Sequence, residues 1–451
     1  MNDVLREARL FLRLRAALAA VLGLFLLAAA GTAAGLVEVA RQNDAIRRIA
    51  PQQAADVQAI SDWVSRDKDA GNAAYYTFHA TWDPPSDLAF AALGLRDVAP
   101  YLLRVRALGL EAQLYEGDIG NPEASLPGRF DYAFVLVYLT PLFAILLFHD
   151  LLSGEREAGR LQSLEAAAGD ARRLWAARVG VRVTALLLAL ALPFLAGAII
   201  AGTAGWKAAA VLLLILGYIG FWTALCLVVA RMTRSSVANA MTLAATWLVL
   251  TVIAPAVGHV AINTAVPLRQ GMELSLHQRT AVHKAWDIPK AETMQAFFAT
   301  HPEWAATAPV IQPFHWKWYF AFHQVGDQSV AGMSRDYRAG ILKRAAWSER
   351  LGYGLPGVAV QLALHRLADT DPAAQIAYQD RIRAFHADLR RFYYPYLFNE
   401  TPFGAADFDK APAFRAKGDG GTLPAALFAG LLIVTLGTAV IGMQRSRRPR
   451  R

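Results

Sequence analysis

Histidine is the residue type in this chain with the best chance of forming a metal or catalytic site. The spacing of the histidines along the sequence does not favour such a site. Two of the histidines, His315 and His323, lie in the aromatic run Phe314–His323. Zinc-binding chains often pair histidines in patterns such as His-Glu-x-x-His, and the sequence has no such pattern. We therefore interpret the aromatic run as protein core or as a belt at a lipid interface, and predict no metal site.

Nucleophilic and ATP-hydrolysing sites are not predicted either. The single cysteine, Cys226, lies inside an apolar block, so the chain can form neither an intramolecular disulfide nor a two-cysteine redox motif. The sequence has no Gly-x-Ser-x-Gly elbow and no Gly-x-x-x-x-Gly-Lys-Ser/Thr loop. We predict that the chain is not an enzyme by itself and holds no cofactor. Any ATP and Mg²⁺ on which it depends would then bind to another polypeptide.

One charged segment, 149–164, has a pattern suited to binding a partner or a surface. It carries Glu155 and Glu157 and continues as a predicted helix with Leu161 and Leu164 on one side. An amphipathic helix lying on a membrane surface would show the same pattern. The pattern alone therefore leaves both interpretations open.

The remainder of the sequence predicts an all-α integral membrane protein. Of the 451 residues, 55% are hydrophobic and 18% are charged, and the apolar residues are clustered. A helix needs about 20 apolar residues to cross a bilayer. Six blocks reach about that length and are predicted as transmembrane helices: 16–37, 132–148, 183–200, 208–230, 238–262 and 423–443.

The charge of the chain follows these blocks. The net charge is +9, and arginines flank the apolar blocks, so a membrane surface explains the charge better than nucleic acid does. With six crossings, all the short arginine-rich stretches fall on one side, which the positive-inside rule assigns to the cytoplasm. These stretches are 1–15, 149–182, 231–237 and 444–451. We therefore expect a bacterial inner membrane protein with both termini in the cytoplasm. A cleaved signal peptide at 16–37 is the alternative, although its apolar run is long for one.

Two long segments, 38–131 and 263–421, are predicted to lie outside. Both are expected to be mainly helical and to pack together as one extracytoplasmic domain. The clearest helix start is Asp371 followed by Pro372, since aspartate is a good N-cap and proline suits the first helical position. At the other end of the chain, 1–15 has an apolar face and a basic face, which indicates an interfacial helix.

The polar side chains near the middle of the apolar blocks are uncharged. No Asp, Glu, Lys or Arg lies near the middle of any block, whereas ion-driven carriers usually keep such groups there. An outside energy source is favoured for this reason. Asn239 and Thr246 are candidates for lining a translocation path, and the alternative is that they bond to their own or a neighbouring helix.

The segment 149–164 resembles the first cytoplasmic loop of ABC-2 type permeases. That family has an acidic residue, three further residues, then glycine, a small polar residue and leucine at the entrance to a coupling helix. Glu155 and Gly159–Leu161 fit this spacing, with Arg160 standing where the family has threonine or serine, and Leu164 fits the leucine that follows. The resemblance implies a six-helix ABC-2 (type V exporter-like) bundle. It also implies that a separate ATPase subunit docks on this loop, through Glu155, Glu157, Gly159, Arg160, Leu161 and Leu164.

The resemblance further implies the partners of the chain. They are an ABC ATPase subunit, a second permease copy or a paralogue, and the lipid bilayer, and the direction of transport would be export. The two long external segments resemble those of a permease subgroup whose external domain has no assigned function, and that domain could receive a periplasmic partner. The other hypothesis is a membrane-anchored binding or assembly scaffold, which would have no use for a coupling loop.

Overall fold

The computed structural model describes residues 2–115, 130–167, 170–233, 235–268, 271–416 and 420–445. Arg234 and most of the basic tail 444–451, which both entered the orientation argument, lie outside the described residues. The described chain is predominantly helical, as predicted. Its first elements are α1 (Asn2–Phe11), α2 (Arg15–Asp67), α3 (Ala70–Tyr76), β1 (His79–Trp82), β2 (Leu102–Val105) and α4 (Leu110–Tyr115).

The middle of the chain forms most of the membrane bundle. Its helices are α5 (Tyr132–Phe134), α6 (Thr140–Phe148), α7 (Ser153–Glu157), α8 (Leu161–Ala167), α9 (Ala171–Ala201), α10 (Gly205–Met232), α11 (Ser236–Leu248) and α12 (Ala254–Ala265). The later helices are α13 (Gly271–Lys284), α14 (Lys290–Phe298), α15 (Trp316–Gly352), α16 (Pro356–Leu367), α17 (Pro372–Phe398), α18 (Ala405–Phe408) and α19 (Ala425–Arg445).

Six helical stretches of the described chain are long and apolar enough to cross a membrane, which confirms the number of spans. They are Arg15–Asp67, Tyr132–Glu157, Ala171–Ala201, Gly205–Met232, Ser236–Ala265 and Ala425–Gly442. The identity of the membrane and the side on which the termini lie stay predictions.

Prolines mark local changes in two of these spans. A π-helical turn, Val135–Leu139, precedes Pro141, and another, Val249–Ile253, precedes Pro255. Proline has no N–H to donate and its ring crowds the preceding turn, so the hydrogen-bond pattern shifts there. In the first case the carbonyl of Val137, four residues before Pro141, accepts a bond from the Tyr218 hydroxyl at 2.8 Å.

Helix α2 is far longer than its apolar block. It has 53 residues and would be about 80 Å long at 1.5 Å per residue. Beyond the apolar block it continues as a charged helix stabilised by pairs three residues apart, such as Arg41 with Glu38 at 2.5 Å. One continuous helix therefore extends from the bundle into the first external segment.

The bundle has its own core, which extends beyond the six spans. Leu24 and Ala28 of α2, Leu190 and Phe194 of α9 and Tyr218 of α10 are all buried in it. Residues 88 and 90–92 of the first external segment and the inner face of α16 belong to the same core. Asp87 holds this part of the chain to the first turn of α10, because it accepts a 2.8 Å bond from the buried ammonium of Lys207.

A second core lies in the external part and joins both external segments. It contains Tyr115 from the first segment together with Trp318, Phe320, Tyr378 and Tyr393 from the second. Trp318, Phe320 and Phe322 of the predicted aromatic run are almost fully buried, which confirms the interpretation of that run as protein core.

Two details of the external part bear on the predicted fold class. The Asp371 side chain caps α17 by accepting from the Ala374 N–H at 2.9 Å, as predicted. A two-stranded antiparallel sheet, in which Ala80 of β1 pairs with Arg104 of β2, adds to the expected helices. Strands of four residues give too short a periodic pattern to be recognised from sequence.

Acidification is expected to destabilise the external core. Burial lowers the pKa of His79 to about 4 and of His323 to about 3, and it holds the pKa of His386 well below the ordinary value. Below about pH 6.5 these histidines are therefore protonated in the unfolded chain and stay neutral in the native protein. Each such histidine lowers the free energy of unfolding by up to about 1.4 kcal/mol for every pH unit of acidification. Burial also raises the pKa of Asp327, which opposes this trend, whereas burial lowers the pKa of His301 and of His315, which adds to it.

The measurement is the melting temperature of the purified chain between pH 7.5 and pH 5. We expect a progressive decrease on acidification, and a shallower decrease for His386→Gln, which retains an N–H donor. A melting temperature that stays level or rises on acidification contradicts the expectation.

Candidate coupling site

The candidate coupling segment, residues 149–167, leads from the second membrane span towards the third and contains all the residues predicted to contact an ATPase. It includes α7, the turn 158–160 and α8. In that turn Gly159 has a φ of +68°, and the Arg160 N–H donates to the Glu155 carbonyl at 2.9 Å. Glycine reaches this left-handed conformation without the penalty that a Cβ imposes. A Cβ built at Gly159 would meet no other atom within 4 Å, so only the backbone conformation demands glycine here.

Glu155 is the centre of a buried ion network. Its Oε1 accepts from Arg178 Nη1 at 2.9 Å, and Arg178 Nε donates to Glu7 Oε2 at 2.9 Å. The side chains of Arg178, Glu7 and Glu155 are 11%, 7% and 17% exposed. The network therefore joins α7 to α9 and to α1.

Arg160 completes this network on its outer side. Its Nε donates to Glu155 Oε2 at 2.9 Å, while the Arg160 side chain itself is 65% exposed. Both carboxylate oxygens of Glu155 are thus engaged within the chain. Arg160 is available to a partner and Glu155 largely is not.

Glu157 binds the start of α11. Its Oε1 accepts from the Ser236 N–H at 2.7 Å, and its Oε2 accepts from the Ser236 hydroxyl at 2.9 Å. A carboxylate is stabilised at a helix N-terminus because the first N–H groups have no partner within the helix. The Ser153 hydroxyl lies 2.8 Å from that of Ser236 and adds a second link between α7 and α11.

Asn239 strengthens the same contact from inside the bundle. It is fully buried, and its Nδ2 donates to the His149 carbonyl at 2.8 Å and to Ser153 Oγ at 3.1 Å. Thr246 lies two helical turns further along α11, is partly exposed, and donates to the Thr242 carbonyl at 2.8 Å. The structure shows both residues in hydrogen bonds within the protein, and a role in lining a path stays a prediction.

The outer surface of the segment consists of exposed residues that are open to a partner. Gly159, Arg160, Gln162 and Ser163 are exposed, while Leu161 and Leu164 are partly buried. Of the predicted contact residues, Glu155 and Glu157 therefore bond within the chain, with Glu157 itself exposed, and Gly159 and Arg160 are exposed as well. The segment combines bonds to the bundle with an open outer surface.

Three partners in this site were not predicted as functional residues: Arg178, Glu7 and Ser236. The sequence analysis treated the arginines of this loop only as a topology signal. Glu7 could have been noticed as an acid within a basic interfacial helix. Ser236 gives no sequence signal of its own, because its role depends on the approach of α7 to α11.

The external histidines form no such site. Among the described residues, no group of three or more His, Cys, Asp or Glu side chains is arranged to hold a metal ion. His315 instead accepts from the Lys317 N–H at 3.2 Å as the N-cap of α15. Nε2 of His386 lies 2.8 Å from the Leu108 carbonyl and 3.0 Å from that of Arg106.

Comparison with known proteins identifies one region of the chain. Residues 272–417, which include most of the second external segment, match a domain of unknown function, DUF3526. No curated protein and no solved structure matches the chain. The match covers about a third of the sequence and leaves the membrane bundle and the coupling segment outside it.

Proposed function

We propose that this chain is the membrane-spanning permease subunit of an ATP-driven ABC-2 type transporter whose ATPase is a separate subunit. The observation that carries the proposal is the two-sided construction of α7 and α8. Their outer surface is open, and they are bonded to the rest of the bundle through the mostly buried Glu155, to α9 and α1, and through the exposed Glu157, to α11.

This arrangement suits the transmission of a partner's motion. A rigid-body movement is passed on only through elements that stay connected while they move. The ion pairs of Glu155 and Arg178 are mostly shielded from water, so salt screens them less than it screens surface pairs. A partner that displaces α7 would therefore displace α1, α9 and α11 with it.

Two further observations favour the same function. The DUF3526 domain type is often found in ABC-2 permease-like proteins. The span Ser236–Ala265 also leaves most of its apolar surface uncovered, including Val252, Val257 and Val260. Lipid or a second permease copy would cover that surface, in line with a subunit that works as a dimer. Export, in the direction of the external domain, follows the resemblance to the exporter-like family.

The test is to look for a P-loop ATPase that co-purifies with the chain from its native host, comparing Gly159→Ala with Gly202→Ala. Both glycines have a positive φ, +68° and +69°, and a Cβ at either would meet nothing within 4 Å. Each substitution should cost the same strain, about 1–2 kcal/mol. Only Gly159 lies in the proposed docking segment, since Gly202 ends α9 at the opposite side of the bundle.

We expect Gly159→Ala to weaken ATPase binding at least tenfold and Gly202→Ala to leave it unchanged. Equal ATPase binding by the two variants would contradict docking at α7 and α8. A wild-type chain that purifies with no ATPase would instead favour the anchored scaffold.

A further inference from the structure

The external domain contains a pocket that the transport proposal does not use. Its volume is about 620 Å³, within the range of small-molecule sites. It lies between α15 and α17, with the first residues of α4 and the segment 301–304 completing the wall. Its position in the external core places it far from the coupling segment.

The polar groups at the bottom of the pocket are fixed in place. Asp327 accepts from Arg390 Nη2 at 2.8 Å and from the Leu110 and Glu111 N–H groups at 2.9 and 3.2 Å. Glu111 in turn accepts from Arg383 Nε at 2.9 Å. These four charged side chains are at most 19% exposed. Because each charge is paired, the bottom of the pocket is rigid and electrically balanced.

The whole lining is balanced as well. Three carboxylates line the pocket, those of Glu111, Glu303 and Asp327, and so do three guanidinium groups, those of Arg383, Arg390 and Arg391. A strongly charged ligand gains affinity from an unbalanced opposite charge, and this lining offers none. An uncharged ligand suits it better.

One buried group in the wall has an unused hydrogen bond. Tyr394 is 3% exposed, and its hydroxyl has no hydrogen-bond partner among the described residues. A buried polar group without a partner costs about 1–3 kcal/mol, which a ligand that supplies the partner would recover. His386 offers the complementary group. Its Nε2 carries the hydrogen towards two carbonyls, so its Nδ1 is left as an acceptor.

Aromatic rings form the opposite part of the wall. The His301 ring stacks on Phe297 with centroids 4.5 Å apart, and Trp304 stacks on Phe398 at 5.5 Å. Tyr394 meets His301 edge-on at 5.9 Å. Aromatic faces are electron-rich and attract the weakly positive C–H groups of a ring that lies against them.

From these features we propose that the pocket binds an uncharged, hydroxyl-bearing ring compound of the saccharide class. Hydroxyl groups act as both donors and acceptors, so they match Tyr394 and His386. They also match Nε2 of Gln324 and Oε1 of Gln328, whose other amide atoms bond to Arg390 and Thr300. The C–H face of the ring matches Trp304 and His301. The site is separate from the coupling segment, and its occupancy is measurable without an ATPase.

The experiment is calorimetric titration of the purified full-length chain in lipid nanodiscs, because maltoside detergents would compete with the ligand. The probes are glucose, maltose and N-acetylglucosamine, with glucose 6-phosphate and lysine as charged comparators. We expect saturable binding of at least one neutral sugar and none of the charged comparators.

Two variants and one control make the result specific. Tyr394→Phe removes only an unpartnered hydroxyl, so the protein should melt no lower than wild type while sugar affinity falls about tenfold, or about 1.4 kcal/mol. Trp304→Ala should reduce affinity at least as much. Tyr396→Phe is the matched control on the same helix, since its hydroxyl donates to Asp407 away from this pocket.

The proposal is overturned if none of the neutral sugars binds, if Tyr394→Phe binds as well as Tyr396→Phe does, or if the charged comparators bind and the neutral sugars do not.

Discussion

Replacing Arg178 with methionine is expected to abolish coupling between the ATPase and the membrane helices. Arg178 is the only link between Glu155 and Glu7 that the described residues show, and all three side chains are mostly buried. Removing one partner of a buried ion pair costs about 3–5 kcal/mol, because the remaining charge is left uncompensated. Here Glu7 would lose the arginine that pairs with it, and Glu155 would keep only its bond to the exposed Arg160. We expect a clear decrease in the melting temperature and the loss of transport-linked ATP hydrolysis.

The control is Arg173→Met, the same substitution in the same helix. Arg173 is 82% exposed, and its nearest carboxylate, on Asp170, lies 3.4 Å away at the surface. Such a pair contributes about 0–1 kcal/mol, so this variant should behave as wild type. The two variants are compared by melting temperature and by ATPase activity of the reconstituted complex.

A third variant separates stability from coupling. Combining Arg178→Met with Glu7→Gln and Glu155→Gln removes the three mostly buried charges of the network and leaves only the exposed Arg160, and such replacements are often neutral for stability. We expect this protein to melt near wild type and still to couple poorly, because α7 is no longer bonded to α9. If Arg178→Met alone retains both its melting temperature and its coupling, the network is not the connection proposed.

Replacing Gly35 with alanine is expected to prevent correct assembly of the bundle. A Cβ at this position would lie 1.8 Å from the Phe90 carbonyl oxygen, a distance that no side-chain adjustment can relieve because the obstacle is backbone. One turn earlier, a Cβ placed at Gly31 would lie 2.7 Å from the Asp131 carbonyl oxygen. Ordinary overpacking costs about 1–3 kcal/mol, and a clash with rigid backbone should exceed that range.

The matched control is Gly23→Ala in the same helix, where the nearest atom is a Phe143 ring carbon at an ordinary 3.6 Å. Alanine is favoured over glycine in a helix by about 1 kcal/mol, so this variant should be neutral or more stable. Yield of monodisperse protein and melting temperature are the readouts. A Gly35→Ala protein that purifies and melts like Gly23→Ala would contradict the close approach of α2 to residues 88–93.

Arg178→Met and Gly35→Ala test two parts of one set of packed helices. Helices α1 and α2 both pack on α9, which carries Arg178 near its start. Helix α2 then continues into the external domain, where Gln42 accepts from the buried Arg96 Nε at 3.0 Å. A displacement of α7 thus has a continuous path through α9 and α2 to the external domain.

Local properties of the chain were readable from sequence. The length of an apolar block decides whether a helix can cross a bilayer, and composition alone reports that length. The cap formed by Asp371 and Pro372 is also decided within a few residues. Conversely, Gly31 and Gly35 form a Gly-x-x-x-Gly spacing typical of close helix packing, which the sequence analysis did not use.

The roles of the charged residues were decided by tertiary structure. Glu7 and Arg178 are 171 residues apart in sequence, and nothing near either of them indicates the other. The resemblance therefore pointed to Glu155 as a contact for a partner, whereas the fold turns it inward to an arginine. The external pocket likewise draws Glu111, Asp327 and Arg390 from three separate helices. Hydropathy is a sum over neighbouring residues, so it can be calculated from the sequence alone. An ion pair between distant residues exists only once the fold has brought their side chains within about 3 Å of each other.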